Sequence, residues 1–381
     1  MTGEYPLTAL ENAAQHPLAA SNELASRFHL TPNPSPASDA DYSEVMTQLA
    51  FGKAFTDHMA HIVWTPDQGW HDHEVIPFGD LTISPAASVF HYGQELFEGI
   101  KAYRHADGSV WTFRPTFNAA RFNHSARRMA MPELPIDDFV GSIAAYVGQD
   151  EKWVPTKEGA SLYLRPFMIA TEPFLGVRSA HRFDYYLIGA PSGAYFSGGP
   201  KGVAIEVVKG YHRAGPGGTG SAKVGGNYAA SLLPQAEAAG RGFDQICFLD
   251  AREEKWVEEL GGMNVFIVRA DGDVYTPALT GTILEGSTRS SITRLLRDGG
   301  TAVHEDHIAI ADLIADIESG AVKEVFACGT AAVVTPITRL AGDGFDVHLP
   351  VGEVTLGIHS ALTSIQTGEA DDPYGWMYRL V

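Results

Sequence analysis

Strand-length apolar runs alternate with runs of helical period on both sides of residues 191–202, a stretch of glycine, proline, serine and little else that could hold an element. This pattern constrains the fold more than any other feature. Alternating elements bury their apolar faces as layers of helix on sheet, so the sequence predicts an α/β (α+β) protein of two domains. The 381 residues are enough for both. The boundaries read as a flexible arm over 1–45, a smaller α/β domain over 46–190, a linker over 191–202 and a larger domain over 203–381. Pro32, Pro34 and Pro36, set among small polar residues, deny the arm a helix or a ladder. Strands are expected at 58–64, 74–78, 110–113, 161–170 and 184–189, then at 203–208, 245–249, 264–268 and 273–275. Helices are expected at 115–130, 139–147 and 308–318, with others opening at Asn227 and near Ser287 and the last over 354–366.

The densest chemical signal lies in residues 215–233. Lys223 stands between Gly217, Gly218 and Gly220 on one side and Gly225 and Gly226 on the other, and no carboxylate falls between Glu206 and Glu237. Three readings compete here. A phosphate loop of the P-loop type fails, because Ser221 and Ala222 separate Gly220 from the lysine. Gly215, Gly217 and Gly220 match a dinucleotide fingerprint, yet no strand runs directly into Gly215 and Pro216 interrupts the motif. A solvated surface loop is the plain alternative. The third reading is a Schiff-base lysine, since desolvation lowers a lysine pKa and a neutral amine condenses with carbonyls.

Composition excludes other classes. A formal net charge of -19 argues against nucleic acid and anionic membranes as partners. Cys247 and Cys328 form no CxxC pair or disulfide framework, which fits a reducing compartment; with no signal peptide and no long apolar run, a cytoplasmic protein is expected. His58 with His61, His71 with His73, and His304 with His307 have ligand-like spacing, but no cysteine pair or HExxH accompanies them, and no metal site is assigned. Glu258 and Glu259 face opposite ways in extended chain, one meeting solvent and the other pointing inward. Ser287 and Thr288 open a helix, where unpaired N–H groups suit a phosphate or an ordinary cap, and the Gly329–Ala331 turn offers a hydroxyl and further donors.

Taken in order, several segments resemble the branched-chain amino-acid aminotransferases, fold-type IV enzymes that use pyridoxal 5'-phosphate. They are Phe51–Met59, His91–Gly99, Ser161–Pro166, Gly193–Phe196, Lys223–Tyr228, Glu259–Asn264, Cys328–Ala331 and Gly375-Trp376. The resemblance implies that Lys223 holds the cofactor and moves the proton, that Glu259 bonds the pyridine nitrogen, and that Tyr228 bonds the phenolic oxygen. It implies a phosphate cup of Arg121, Ser287, Thr288 and Thr330. It implies a substrate carboxylate at Thr330 and Ala331 near Tyr92, Tyr163 and Arg165. The side-chain pocket would be walled by Phe51, Phe97, Tyr195 and Tyr228, with Val177 coming from a second subunit, so a homodimer is implied. The expected reaction exchanges the amino group between leucine, isoleucine or valine and 2-oxoglutarate.

The chain departs from the family in two places. Ala332 and Thr335 stand where some members carry a redox cysteine pair, and Gly262 stands where some carry threonine. The rivals within the fold are a D-amino-acid transaminase and an aminodeoxychorismate lyase. From another class, the rival is a nucleotide-binding protein using the glycine-rich loop.

Overall fold

The computed structural model describes residues 7–193 and 202–381. The chain forms two compact units, residues 1–195 with 365–381 and residues 196–364.

The first unit is built on a nine-stranded sheet, mostly antiparallel. Its central pair is Ser161–Ala170 against Phe183–Ser192, in register from Ser161↔Ser192 to Ala170↔Phe183. Along Ser161–Ala170 burial alternates strictly after Leu162, so that Tyr163, Arg165 and Phe167 share one face. Helices Pro115–Arg128 and Ile136–Gln149 cover the other side of the core, where Phe122, Phe139 and Tyr185 pack ring on ring.

The ends of the chain differ from expectation. The N-terminal arm is docked rather than loose. Leu24 is fully buried, Leu10 packs on Phe117, His29–Leu30 pairs with Gly69–Pro77, and Arg27 bridges Asp137 and Asp138. Its two buried leucines are spaced too far apart to show a period. Met377–Arg379 pairs with Val110–Phe113, so the last residues complete the first unit instead of ending the second. The expected linker is shorter at its start, because strand Phe183–Ser192 runs into it. Its residues 194–201, with Tyr195, lie outside the described residues.

The second unit carries another nine-stranded sheet, ordered Val257–Leu260, Gln245–Leu249, Val203–Val208, Val333–Gly342, Val322–Gly329, Asn264–Arg269, Val274–Pro277, Val303–Asp306, with Phe345–His348 beside Val333–Gly342. Ile205, Leu249, Ile267, Ala327 and Ile337 form its core with Leu313 and Ile317 of helix Ile310–Ser319. That helix stops at Gly320, whose φ of 76° is the left-handed cap that glycine adopts without steric cost. The helix expected from Asn227 is broken in two, Gly225–Ala229 and Leu232–Gly240.

Candidate active site

The lysine loop is pinned from three directions within the second unit. Asn227 Nδ2 donates to the carbonyls of Thr219 and Ala222, each at 2.8 Å, and its Oδ1 accepts from Thr219 Oγ1 at 2.7 Å. Gly220 lies so close to the strand-end segment at Thr282 that a β-carbon there would sit 2.6 Å from the Thr282 Cα. Beneath both runs Arg213, buried, whose Nη1 donates to the Gly220 carbonyl at 3.0 Å and the Thr282 carbonyl at 2.8 Å. Gly220 therefore serves close backbone approach, while Gly217 and Gly218 of the same run are exposed. Held this way, Lys223 Nζ is 2.8 Å from Tyr228 Oη.

Tyr228 leads to the glutamate strand. A β-carbon at Gly262 would be 3.5 Å from the Tyr228 ring, so the turn after Val257–Leu260 meets that ring. Glu259 is 1% exposed; its Oε2 accepts from the Leu284 N–H at 2.9 Å and lies 3.2 Å from Arg213 Nη1. Arg213 thus ties the lysine loop, the Thr282 segment and the Glu259 carboxyl together. Glu258 departs from expectation. It does not meet solvent but is 6% exposed, and it accepts a hydrogen bond from Thr282 Oγ1. Both sides of this edge strand are covered, so alternation separates two buried surroundings here. Burial pushes the Glu258 carboxyl up, with Asp250 and Glu259 adding to the rise against Thr282 and Arg213.

The donor groups converge on the same region. Asn264 Nδ2 donates to the Leu284 carbonyl at 2.9 Å, and a β-carbon at Gly286 would collide with Asn264. This seats the start of helix Ser287–Asp298 beside the first residue of strand Asn264–Arg269. No side chain caps that helix, and Ser287 and Thr288 are buried. Asn264 also pairs in register with Cys328, which brings the Gly329–Ala331 turn against Met263. A buried helix end without a side-chain cap, next to a tight hairpin turn, is an arrangement suited to an anion.

The first unit holds the remaining predicted residues. Arg165 Nη2 donates to Tyr163 Oη at 3.0 Å, and its guanidinium lies 4.7 Å from the centre of the Phe97 ring. Phe51 meets Tyr163 edge to face at 4.9 Å. Gly99 leaves room for the Tyr163 hydroxyl; a β-carbon there would be 3.2 Å from Cζ. Phe51 and Val177 are exposed, and Tyr92 Oη donates to the Leu175 carbonyl. Arg121 is buried and grips Glu98, with Nε–Oε1 at 2.7 Å and Nη2–Oε2 at 2.8 Å, while Asn118 donates to the same carboxyl.

Sequence reasoning missed Arg213, Asn227, Glu98 and Lys101. Lys101 pairs in register with Tyr163, and burial lowers its amine to about 8. A signal for it existed: a lysine alternating with apolar residues inside strand Ile100–Arg104. The paired histidines take carboxylate partners instead of one another: His58 with Asp150 at 2.7 Å, His61 with Asp184 at 2.8 Å and His304 with Asp273 at 2.8 Å.

Residues 95–340 match the amino-transferase class IV family, and the chain belongs to it. It is 52% identical over 357 residues to a probable branched-chain-amino-acid aminotransferase of Streptomyces coelicolor, covering 93% of this chain and 98% of that one. It is 50% identical over 360 residues to the branched-chain-amino-acid aminotransferase of Mycolicibacterium smegmatis, covering 93% and 98%. Among solved structures, the Escherichia coli branched-chain amino acid aminotransferase superposes with a TM-score of 0.69 at 28% identity, covering 84% of this chain and 100% of that one. Another enzyme of that name, solved with pyridoxamine 5'-phosphate, gives a TM-score of 0.70 at 28% identity, covering 84% and 99%. This likeness puts the chain among the branched-chain-amino-acid aminotransferases of the class.

Proposed function

We propose that the protein transfers the amino group between leucine, isoleucine or valine and 2-oxoglutarate, with pyridoxal 5'-phosphate held on Lys223. The observation that carries this reading is the placement of Lys223 on Tyr228, beside a turn whose strand carries the buried, Arg213-braced Glu259. The residues fit the cofactor: the Gly262 and Gly286 approaches leave backbone where side chains would otherwise stand, and an uncapped helix end lies alongside. When bound, pyridoxal phosphate supplies an aldehyde for the substrate nitrogen and a ring that accepts the electrons released at the α-carbon.

Each residue then has a task of its own. Lys223 Nζ takes the proton from the substrate α-carbon and returns it one position along, and Tyr228 Oη orients that amine. Glu259 holds a proton at the ring nitrogen, its carboxyl fixed by Arg213 and Leu284 N–H. Ser287, Thr288 and Thr330 receive the phosphate through N–H and hydroxyl donors, with Arg121 as the charged member. Arg121 shares its guanidinium with Glu98, so it is held rigid and its charge is partly spent. The Thr330–Ala331 turn, Tyr92 and the Tyr163–Arg165 pair receive the substrate carboxylate. Phe51, Phe97, Tyr195 and Tyr228, with Val177 of the partner subunit, line an apolar pocket in a homodimer. One methylene in such a pocket is worth about 1–3 kcal/mol, so the three aliphatic substrates are weakly separated.

The test is a visible spectrum of the purified protein, its response to borohydride, and half-reactions with a panel of amino acids. The reading expects a coloured protein, label fixed on Lys223, and spectral change with branched L-amino acids and L-glutamate. Response to D-alanine alone would overturn the substrate assignment. A colourless protein that binds nucleotides would overturn the chemistry.

A further inference from the structure

Two carboxyls and one guanidinium are buried together around strand Val257–Leu260: those of Glu258, Glu259 and Arg213. Burial drives a carboxyl to take up a proton, because its charged form loses hydration. Glu258 shows that effect. Its Oε1 accepts from a hydroxyl, Thr282 Oγ1, and its Oε2 has no partner among the described residues. Burial accordingly pushes this carboxyl up.

Glu259, one residue on and also buried, meets a different set of groups. Its Oε2 accepts from the Leu284 N–H at 2.9 Å and lies 3.2 Å from Arg213 Nη1, in an ion pair whose two side chains are each 2% exposed. A fixed opposite charge in a site closed to water favours the ionised carboxyl, and arginine does not give up its own proton. The guanidinium cannot swing away, since Nη1 also donates to the Gly220 and Thr282 carbonyls. Arg289, the other buried arginine described in this unit, is paired with Glu305 at 2.8 Å and is not the source of that charge.

A buried carboxyl and a pyridine-type nitrogen compete for one proton. A neutral Glu259 would keep it and donate; an ionised Glu259 leaves it on the nitrogen. We infer that Arg213 is a positioning residue for the reaction: it holds Glu259 as a carboxylate, so that the shared proton resides on the bound ring and not on the protein. The inference rests on the proposed placement of the ring nitrogen at Glu259. Arg213 acts through Glu259 alone and has no contact of its own with the reacting atoms in this assignment.

Nitrogen-15 magnetic resonance of protein loaded with ring-labelled pyridoxal 5'-phosphate tests this, because the resonance reports whether the nitrogen carries a proton. The expected result is a protonated ring in the unaltered protein and an unprotonated ring in Arg213→Gln, whose half-reaction with leucine slows about 100-fold, the usual effect of removing one preorganised charge-stabilising contact. Two variants separate charge from brace. Arg213→Lys keeps the charge, Gly220→Ala disturbs the loop that Arg213 braces, and both should keep the protonated ring. A protonated ring in Arg213→Gln overturns the inference. An unprotonated ring in the unaltered protein or in Arg213→Lys overturns it as well, and these two decide the matter where Arg213→Gln fails to fold. A protein that takes up no cofactor overturns the proposed function and this inference together, whereas a loaded protein with the wrong ring protonation overturns this inference alone.

Discussion

Replacing Gly220 with alanine tests the geometry of the lysine loop directly. The added methyl would stand 2.6 Å from both the carbonyl carbon and the Cα of Thr282, well inside van der Waals contact, and the obstacle is backbone that cannot rotate away. The φ of Gly220 is not in the left-handed region, so the cost is steric alone. Overpacking of this kind costs about 1–3 kcal/mol. The loop relieves the clash only by moving off the Thr282 segment, and Arg213 Nη1 cannot then keep both carbonyls, now at 3.0 and 2.8 Å. Losing one such charged hydrogen bond adds about 1.5–3 kcal/mol. The sum is about 2.5–6 kcal/mol, or a fall of about 5–24 °C in melting temperature.

Activity should fall further than stability. Lys223 lies three residues on, and a displacement of about 1 Å at a reacting group costs on the order of 100-fold in rate. Gly226→Ala is the control. That glycine sits in helix Gly225–Ala229 with nothing within 4 Å of an added methyl, and alanine is favoured in a helix interior by about 0.5–1 kcal/mol. Scanning calorimetry and leucine-dependent turnover should therefore separate two substitutions six residues apart in one loop. Equal melting and equal turnover for Gly220→Ala and the unaltered protein would refute the close approach and the brace built on it.

Glu259→Gln keeps an acceptor for Leu284 N–H but leaves the Arg213 guanidinium without its carboxyl, so denaturant melts should show a loss of about 3 kcal/mol or more and half-reactions should slow strongly. Lys101 yields a pH signature. Its folded pKa of about 8 lies below the ordinary 10.5, so the unfolded chain binds the extra proton between those values and the penalty of the buried ammonium fades as pH rises. Screening limits the effect of that difference to about 1–2 kcal/mol for this partly accessible side chain. Relative to Lys101→Met, the unaltered protein should gain that much from pH 8 to about 10, and parallel stability curves would refute it. Cys247 and Cys328 are both buried, and desolvation raises both thiols, Cys247 to about 12. Neither should react with a thiol reagent in the native state, and both should react in denaturant.

What the sequence disclosed depended on the range of the interaction involved. Strands Val110–Phe113, Ser161–Ala170, Val203–Val208 and Gln245–Leu249 fall where their apolar patterns predict, because a strand's burial is written into adjacent residues. The two chain ends did not show themselves. Leu10 and Leu24 are single anchors, and Met377–Arg379 is a three-residue edge strand whose pairing partner, Val110–Phe113, is far removed in sequence. Glu258 read as solvated because Thr282, 24 residues on, is what receives it. Arg213 carried no local signal at all, since its three partners come from three separate segments.

The glycines resolve the ambiguity that composition left at Lys223. A glycine-rich run reads equally as a flexible loop, a phosphate cradle or a site of close packing. In the structure, the space a side chain would need at Gly220 is taken by the Thr282 backbone, and at Gly286 by the Asn264 side chain. Neither position needs glycine for a left-handed φ. What they permit is contact between segments far apart in sequence, so that lysine, tyrosine and glutamate are set by packed backbone and not by long side chains searching for one another. Precision of this sort comes from rigid approach, because each ordered rotamer in a looser arrangement would cost entropy the binding step could not recover. It also explains why the two adjacent glutamates do different work. Glu259 is clamped by Arg213 and Leu284, whereas Glu258 is bonded through one oxygen to Thr282 and its other oxygen is buried with no partner among the described residues. One edge strand thereby serves two buried surroundings.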